Sequence, residues 1–256
     1  MIIAVMNPKG GIGKTITSSS LSYILGEEHE KKILNIEGDQ QGNISKLFGR
    51  YEPEGIGMSE LLERHINVGG EYTTNDLIKA TPYSHIDIIP GNGYLMQTNM
   101  NLLRYREENQ IDRFKNAIKE VQEIYDYIIC DCGLTMDLTV TNILVAADLI
   151  IAPVKLGGFE MDALNNLIEQ LDEIKRLSLN PNLKIKVLIT MTQKNQTTRD
   201  VVNWLRTNHN AFECSIRRSV VVEKSTYEFI PLPKFSKNSV ASKDYRSVVE
   251  EMLKEG

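Results

Sequence analysis

Short runs of apolar, mostly β-branched residues punctuate this chain at 2–6, 33–36, 86–89, 127–130, 149–154 and 185–190. Most are apolar at consecutive rather than alternating positions, as expected of strands covered on both faces. Between them the apolar spacing changes to that of helices. Leu21, Ile24 and Leu25 follow a glycine-rich stretch, and Ile111, Phe114, Ala117, Ile118, Val121 and Ile124 span four turns. Leu164, Leu167, Ile168, Leu171 and Ile174 mark a further helix, and Val248, Val249, Met252 and Leu253 line one side of a last helix over 245–253. Strands alternating with helices predict an α/β fold, a doubly wound and mostly parallel sheet with helices on both faces. Residues 51–81 read as a helical excursion, and with no linker or repeat the chain is expected to form one domain over 1–256.

Composition changes this picture little. A chain 41% hydrophobic and 25% charged is ordinary for a globular protein. Three cysteines, at 130, 132 and 214, do not make a disulfide framework, which suits a reducing compartment. No apolar run approaches the roughly 20 residues of a membrane span, and the N-terminus lacks signal-peptide features. The expected location is cytoplasmic. The net charge of −5 excludes a wholly basic nucleic-acid binder, but seven cations stand against three acids between Cys214 and Arg246.

The candidate chemistry starts where the first strand ends, at Asn7-Pro8-Lys9-Gly10-Gly11-Ile12-Gly13-Lys14-Thr15. Glycines at 10, 11 and 13 let the backbone turn tightly and aim N–H groups at phosphate oxygens, and the following helix adds the positive end of its dipole. Lys14 can neutralise β- and γ-phosphate charge, and the Thr15 hydroxyl can ligate Mg²⁺. A general Walker A motif would place glycine where Pro8 stands. The segment from Lys9 to Thr15 instead resembles the deviant Walker A motif of the ParA/MinD family of ATPases. That resemblance implies ATP and Mg²⁺ as cofactors and a P-loop fold. It also implies that Lys9 reaches the phosphates of a partner subunit, so that nucleotide is sandwiched in a homodimer. Triphosphates meeting face to face need a cation between them.

Two acidic segments continue the resemblance. Glu37-Gly38-Asp39-Gln40-Gln41-Gly42-Asn43 is similar to the ParA form Asp-x-Asp-Pro-Gln-Gly-Asn, which makes Asp39 the candidate for orienting the attacking water. Tyr125 to Cys132 is a strand ending in Asp131, the Walker B arrangement, with Asp131 expected opposite Thr15 on Mg²⁺. Gly133-Leu134 replaces two prolines and predicts a more flexible second switch. Ile16 stands where the family has a second threonine, which predicts weaker nucleotide affinity through backbone contacts alone. Leu188-Ile189-Thr190-Met191 and Ile216-Arg217-Arg218 resemble the family segments at the adenine pocket, placing Met191 and Arg218 there. The nucleotide set is thus Lys9, Gly10, Gly11, Ile12, Gly13, Lys14, Thr15, Ile16, Met191 and Arg218. Lys9, Lys14 and Asp39 are the catalytic candidates. Relatives of the nitrogenase iron protein share this core and bind a cluster through cysteines, but Cys130 and Cys132 are read as facing opposite ways, with only the first inside a strand.

What the resemblance implies for function is a ParA-type partition ATPase: an ATP-dependent homodimer, non-specific DNA binding, and hydrolysis stimulated by a ParB-like protein. Nucleoid association would follow from DNA binding. The arginines that the family uses for DNA are displaced here, Val221 standing at one expected position and Lys194 or Asn195 near the other. Without a helix-turn-helix ahead of the first strand, DNA contact is expected to be sequence-independent and strongly salt-dependent. Two alternatives share the scaffold: a regulatory or assembly ATPase with weak hydrolysis, and a MinD-like membrane switch. The acidic tail from Val248 to the C-terminus opposes the second, because anionic lipid would repel it.

Overall fold

The computed structural model describes residues 1–64, 72–105 and 109–255. Seven strands form one sheet: β1 Ile2–Val5, β2 Ile33–Gly38, β3 Lys79–Ala80, β4 Ile86–Ile89, β5 Tyr127–Cys132, β6 Leu149–Lys155 and β7 Lys184–Thr190. Their order is β3-β4-β2-β5-β1-β6-β7, and every pair is parallel except β3 with β4. The expected doubly wound sheet is therefore present, with one antiparallel edge strand added. That edge was illegible in the sequence because β3 has two residues and buries neither.

Consecutive apolar residues form strands here because each face of the sheet has its own core. Ile2, Ala4 and Met6 of the first run enter one core, while Ile3 and Val5 enter the other. The first core lies under helices Met58–Glu63, Leu95–Arg104, Arg113–Ile118, Leu138–Ala146, Gly158–Arg176 and Gln196–Asn208. The second lies under helix Lys14–Tyr23, its π-helical continuation Ile24–Glu28, and helices Asn43–Leu47 and Val240–Glu255.

Three expectations change. The helix expected over 111–124 runs only from Arg113 to Ile118; the chain then turns, burying Val121 and leaving Ile124 exposed. The excursion at 51–81 contains helices Met58–Glu63 and Thr74–Leu77 besides β3, and its residues 65–71 lie outside the described residues. The third concerns the cysteines. β5 extends through Cys132, so Cys130 and Cys132 are two apart on one strand and share a face. Both are buried in the same core, and burial holds both thiols well above their usual pKa. They pack as small hydrophobes.

Among the described residues no helix is long and apolar enough to cross a membrane. The apolar side of helix Val240–Glu255 is already used: Tyr245, Val248, Val249 and Met252 are buried in the second core.

Candidate functional site

The loop after β1 sits at the middle of the sheet, where β1 lies between β5 and β6. Asn7 anchors it from below. Its Nδ2 donates to the Pro153 carbonyl on β6 (2.9 Å), and its Oδ1 accepts from the Lys9 N–H (2.9 Å). Gly11 and Gly13 adopt φ of 71° and 93°, and a Cβ on either would meet nothing within 4 Å. Helix Lys14–Tyr23 begins there with no side chain capping its first turn. A concave backbone, an uncapped helix N-terminus and open space above it suit a polyphosphate. The Lys14 ammonium reaches back to the Lys9 carbonyl at 3.3 Å. Burial lowers its pKa, while Asp131, Cys132 and Asp39 oppose the shift.

Parallel register brings the carboxylates together. Asp131 on β5 stands beside Val5 of β1 and Glu37 of β2. The Ser18 hydroxyl donates to Asp131 Oδ1 at 2.8 Å. Burial pushes the Asp131 carboxyl up to about 6, against hydrogen bonds from Thr15 and Ser18 and the charge of Lys14. Glu37 is fully buried and accepts from the Ser45 N–H (3.1 Å) and hydroxyl (3.2 Å); burial first, and then Asp131, raise its pKa well above the carboxylate range. Asp39 is half-buried one residue past the end of β2, its Oδ1 accepting from the Gln41 N–H at 2.9 Å.

The Asp131 carboxyl, pushed up by burial and opposed by Lys14, would be held ionised by further positive charge. A divalent cation held by Thr15 and Asp131 would supply it. No group of three or more His, Cys, Asp or Glu able to hold a metal occurs among the described residues. One hydroxyl and one carboxylate suit Mg²⁺, which keeps waters and takes phosphate oxygens.

Beside the loop lies a cavity of about 310 Å³ lined by Gly11, Gly13, Ile16, Thr190, Met191, Ile216, Arg218, Ser219, Val222, Glu223 and Tyr245. Met191, at φ 55°, and Arg218 both line this cavity, on the wall adjoining the loop after β1. Ile16 is buried and shared between this wall and the second core. Sequence reasoning missed Tyr245, whose hydroxyl meets Thr17 Oγ1 at 3.0 Å across 228 residues. It also missed Ser18, although the second hydroxyl after Thr15 was visible in the serine-rich start of the helix.

A second cavity, about 430 Å³, is lined by Asp39 and Gln40 together with Gly133 and Leu134, with Met96, Asn99, Met100 and Leu103 also lining it. The two switch segments therefore share one groove. Lys9 stands on the same side of the molecule as the open loop, with its Nζ 5.7 Å from the centre of the Phe159 ring.

A family model described as an AAA domain, AAA_31, matches residues 1–185. The chromosome partitioning protein ParA of Myxococcus xanthus is 26% identical over 259 residues, spanning 99% of this chain and 88% of its own length. The chain belongs to the ParA-type partition ATPase family. Sporulation initiation inhibitor protein Soj of Bacillus subtilis is 27% identical, spanning all of this chain and 99% of its own. Among solved structures, a putative plasmid partition protein from Borrelia burgdorferi bound to AMPPNP superposes with a TM-score of 0.80 at 24% identity, over 100% and 99% of the two chains. This last likeness shows the fold; the family rests on the sequence matches. In the ParA-type chain the loop after β1, the segments after β2 and β5, and the cavity wall bearing Met191 and Arg218 lie at the C-terminal edge of the parallel strands, where parallel α/β folds place ligands.

Proposed function

We propose that this ParA-type ATPase binds ATP with Mg²⁺, pairs with a second copy around two nucleotides, and acts in the partitioning of plasmid, chromosomal or mobile-element DNA. Hydrolysis is slow until a ParB-like partner completes the site. The observation that carries this reading is the pair of lysines on one open cradle. Lys14 turns inward toward Asp131, while the Lys9 side chain makes no ion pair among the described residues and is held only by an aromatic ring.

Each residue then has one task. The N–H groups of residues 10–15 hold phosphate oxygens, and Lys14 exchanges the Lys9 carbonyl for phosphate. Thr15 and Asp131 would hold the metal, with the Ser18 hydroxyl keeping the Asp131 carboxylate aimed. Bound Mg²⁺ supplies charge neutralisation at the β- and γ-phosphoryl oxygens. Asp39, half-exposed at the groove, orients water, and Lys9 crosses to the second copy. Met191 and Arg218 flank the base.

DNA contact is assigned to the C-terminal segment. Arg217 is bound to Asp244 through Nε and Nη2 (3.0 and 2.6 Å), and Arg246 to Glu28 (2.6 and 2.7 Å), so these two cations are already neutralised. Lys224, Lys234, Lys237 and Lys243 remain exposed. The burial of the apolar side of helix Val240–Glu255 speaks against a membrane-switch reading, because that side is the one lipid would require.

The test is light scattering with ATP and Mg²⁺. The 29.0 kDa chain should double in mass, and Lys14→Ala and Lys9→Ala should each remain monomeric. Asp39→Ala should accumulate as an ATP-bound dimer that does not turn over. Dimers in both lysine variants, or rapid hydrolysis by Asp39→Ala, would overturn the mechanism. DNA affinity measured with ATP, ADP or no nucleotide across a salt series tests the remainder; loss with rising salt, and only with ATP, is expected.

A further inference from the structure

Phe159, the second residue of helix Gly158–Arg176, is 79% exposed although large apolar side chains usually find cover. That ring faces the Lys9 ammonium, 5.7 Å from the ring centre. The main chain of Lys9 is fixed, its N–H by Asn7 and its carbonyl by Lys14, but its four-carbon side chain is otherwise loose. Across the loop the half-exposed Leu134 lies 3.9 Å from where a Cβ on Gly10 would stand. Lys9 therefore lies beside the exposed Phe159 of the helix after β6, and its neighbour Gly10 lies beside the half-exposed Leu134.

We propose that Phe159 is the positioning residue for Lys9. Its ring gathers the flexible ammonium at the mouth of the cradle, and a second copy of this chain covers ring and ammonium together. The inference rests on the paired state proposed above. Fixing a lysine side chain costs rotamer entropy, and a ring face close to the ammonium removes part of that cost before the second copy arrives. The attraction of a cation to a ring face also strengthens as water leaves, so it grows when the faces meet. An aliphatic residue of the same size would keep the contact area and lose the quadrupole.

The experiment compares Phe159→Leu, Phe159→Tyr and Phe159→Trp. Phe159→Leu should raise the protein concentration at half-association with ATP and Mg²⁺ by about three- to tenfold. Its affinity for a fluorescent ATP analogue in the monomer and its melting temperature should stay those of wild type, because the side chain is exposed. Phe159→Tyr and Phe159→Trp should associate like wild type, since aromatic rings rescue what leucine cannot. Combining Phe159→Trp with Trp204→Phe leaves one indole, whose emission should shift to the blue on association. Normal association by Phe159→Leu, or an indole that stays solvent-like while light scattering reports the dimer, would overturn the assignment. These outcomes differ from a failure of the pairing reading itself, in which wild type stays monomeric or Lys9→Ala still dimerises.

Discussion

Ile16 shows how one side chain can serve the core at the expense of the ligand. Its place in the loop motif predicts a threonine hydroxyl toward the α-phosphate, yet the residue is buried against the second core and lines the nucleotide cavity. Ile16→Thr should therefore bind nucleotide about fivefold more tightly, the return from one hydrogen bond to a charged acceptor less its desolvation. It should also lose about 1 kcal/mol or more of folding stability with the buried methyl groups. Calorimetric titration and a thermal melt of the same sample check both signs. Unchanged affinity would mean that backbone N–H groups already satisfy that phosphate. Ser18 makes a related point: a hydroxyl four residues into the helix aims the Asp131 carboxylate, which motif spacing alone did not assign.

Helix Leu95–Arg104 is where neighbouring elements are tied together. From its inner side Asn99 donates to the Leu95 carbonyl (2.9 Å), Asp137 Oδ2 (3.3 Å) and Thr139 Oγ1 (3.1 Å), and accepts from the Thr139 N–H (2.9 Å). Asp137 in turn caps helix Leu138–Ala146, so one amide holds the far end of the second switch. Met96, Met100 and Leu103 occupy the exposed side at helical spacing. Asn99→Ala should lower single-turnover hydrolysis about tenfold, the kinetic equivalent of one or two lost hydrogen bonds, and leave nucleotide affinity within twofold. An equal loss in both would move its role from the switch to binding. Nothing in the segment 94–105 announced this helix as functional, because the bonds that matter are formed 38 to 40 residues away. The helix expected over 111–124 was overextended for the complementary reason. Apolar spacing of 3.6 is equally satisfied by one and a half turns of helix followed by turns that bury Val121.

At the scale of the molecule, two cores share a single sheet, every strand but β3 contributing residues to both. Neither core can be lost without uncovering the strands that support the other. The chain should thus unfold in urea in one transition, with far-UV circular dichroism and the fluorescence of Trp204, the sole tryptophan, reporting coincident midpoints. Two separated midpoints would contradict the single domain expected from the sequence. Adding Mg²⁺ and ATP at about 100 times the dissociation constant should stabilise the fold by about 2.7 kcal/mol, measured as a rise in the midpoint.

The parts that the sequence settled by itself are those whose physics is contiguous. A phosphate loop works through neighbouring backbone N–H groups, so its glycines, lysine and threonine were visible in the segment 9–15. Six of the seven strands were visible as apolar runs because burial on both faces leaves few polar positions. Asp131 was legible as the acid ending such a run. Tertiary structure alone decided the contacts that join distant segments: Tyr245 to Thr17, Asp244 to Arg217, Glu28 to Arg246, Phe159 to Lys9, and β3 at its edge. It also reversed the orientation read for Cys130 and Cys132, because one further residue of strand put both thiols on one face. The physical reason is the same throughout. Sequence spacing fixes which way a side chain points only within one element, and which elements meet is fixed by how the sheet is wound.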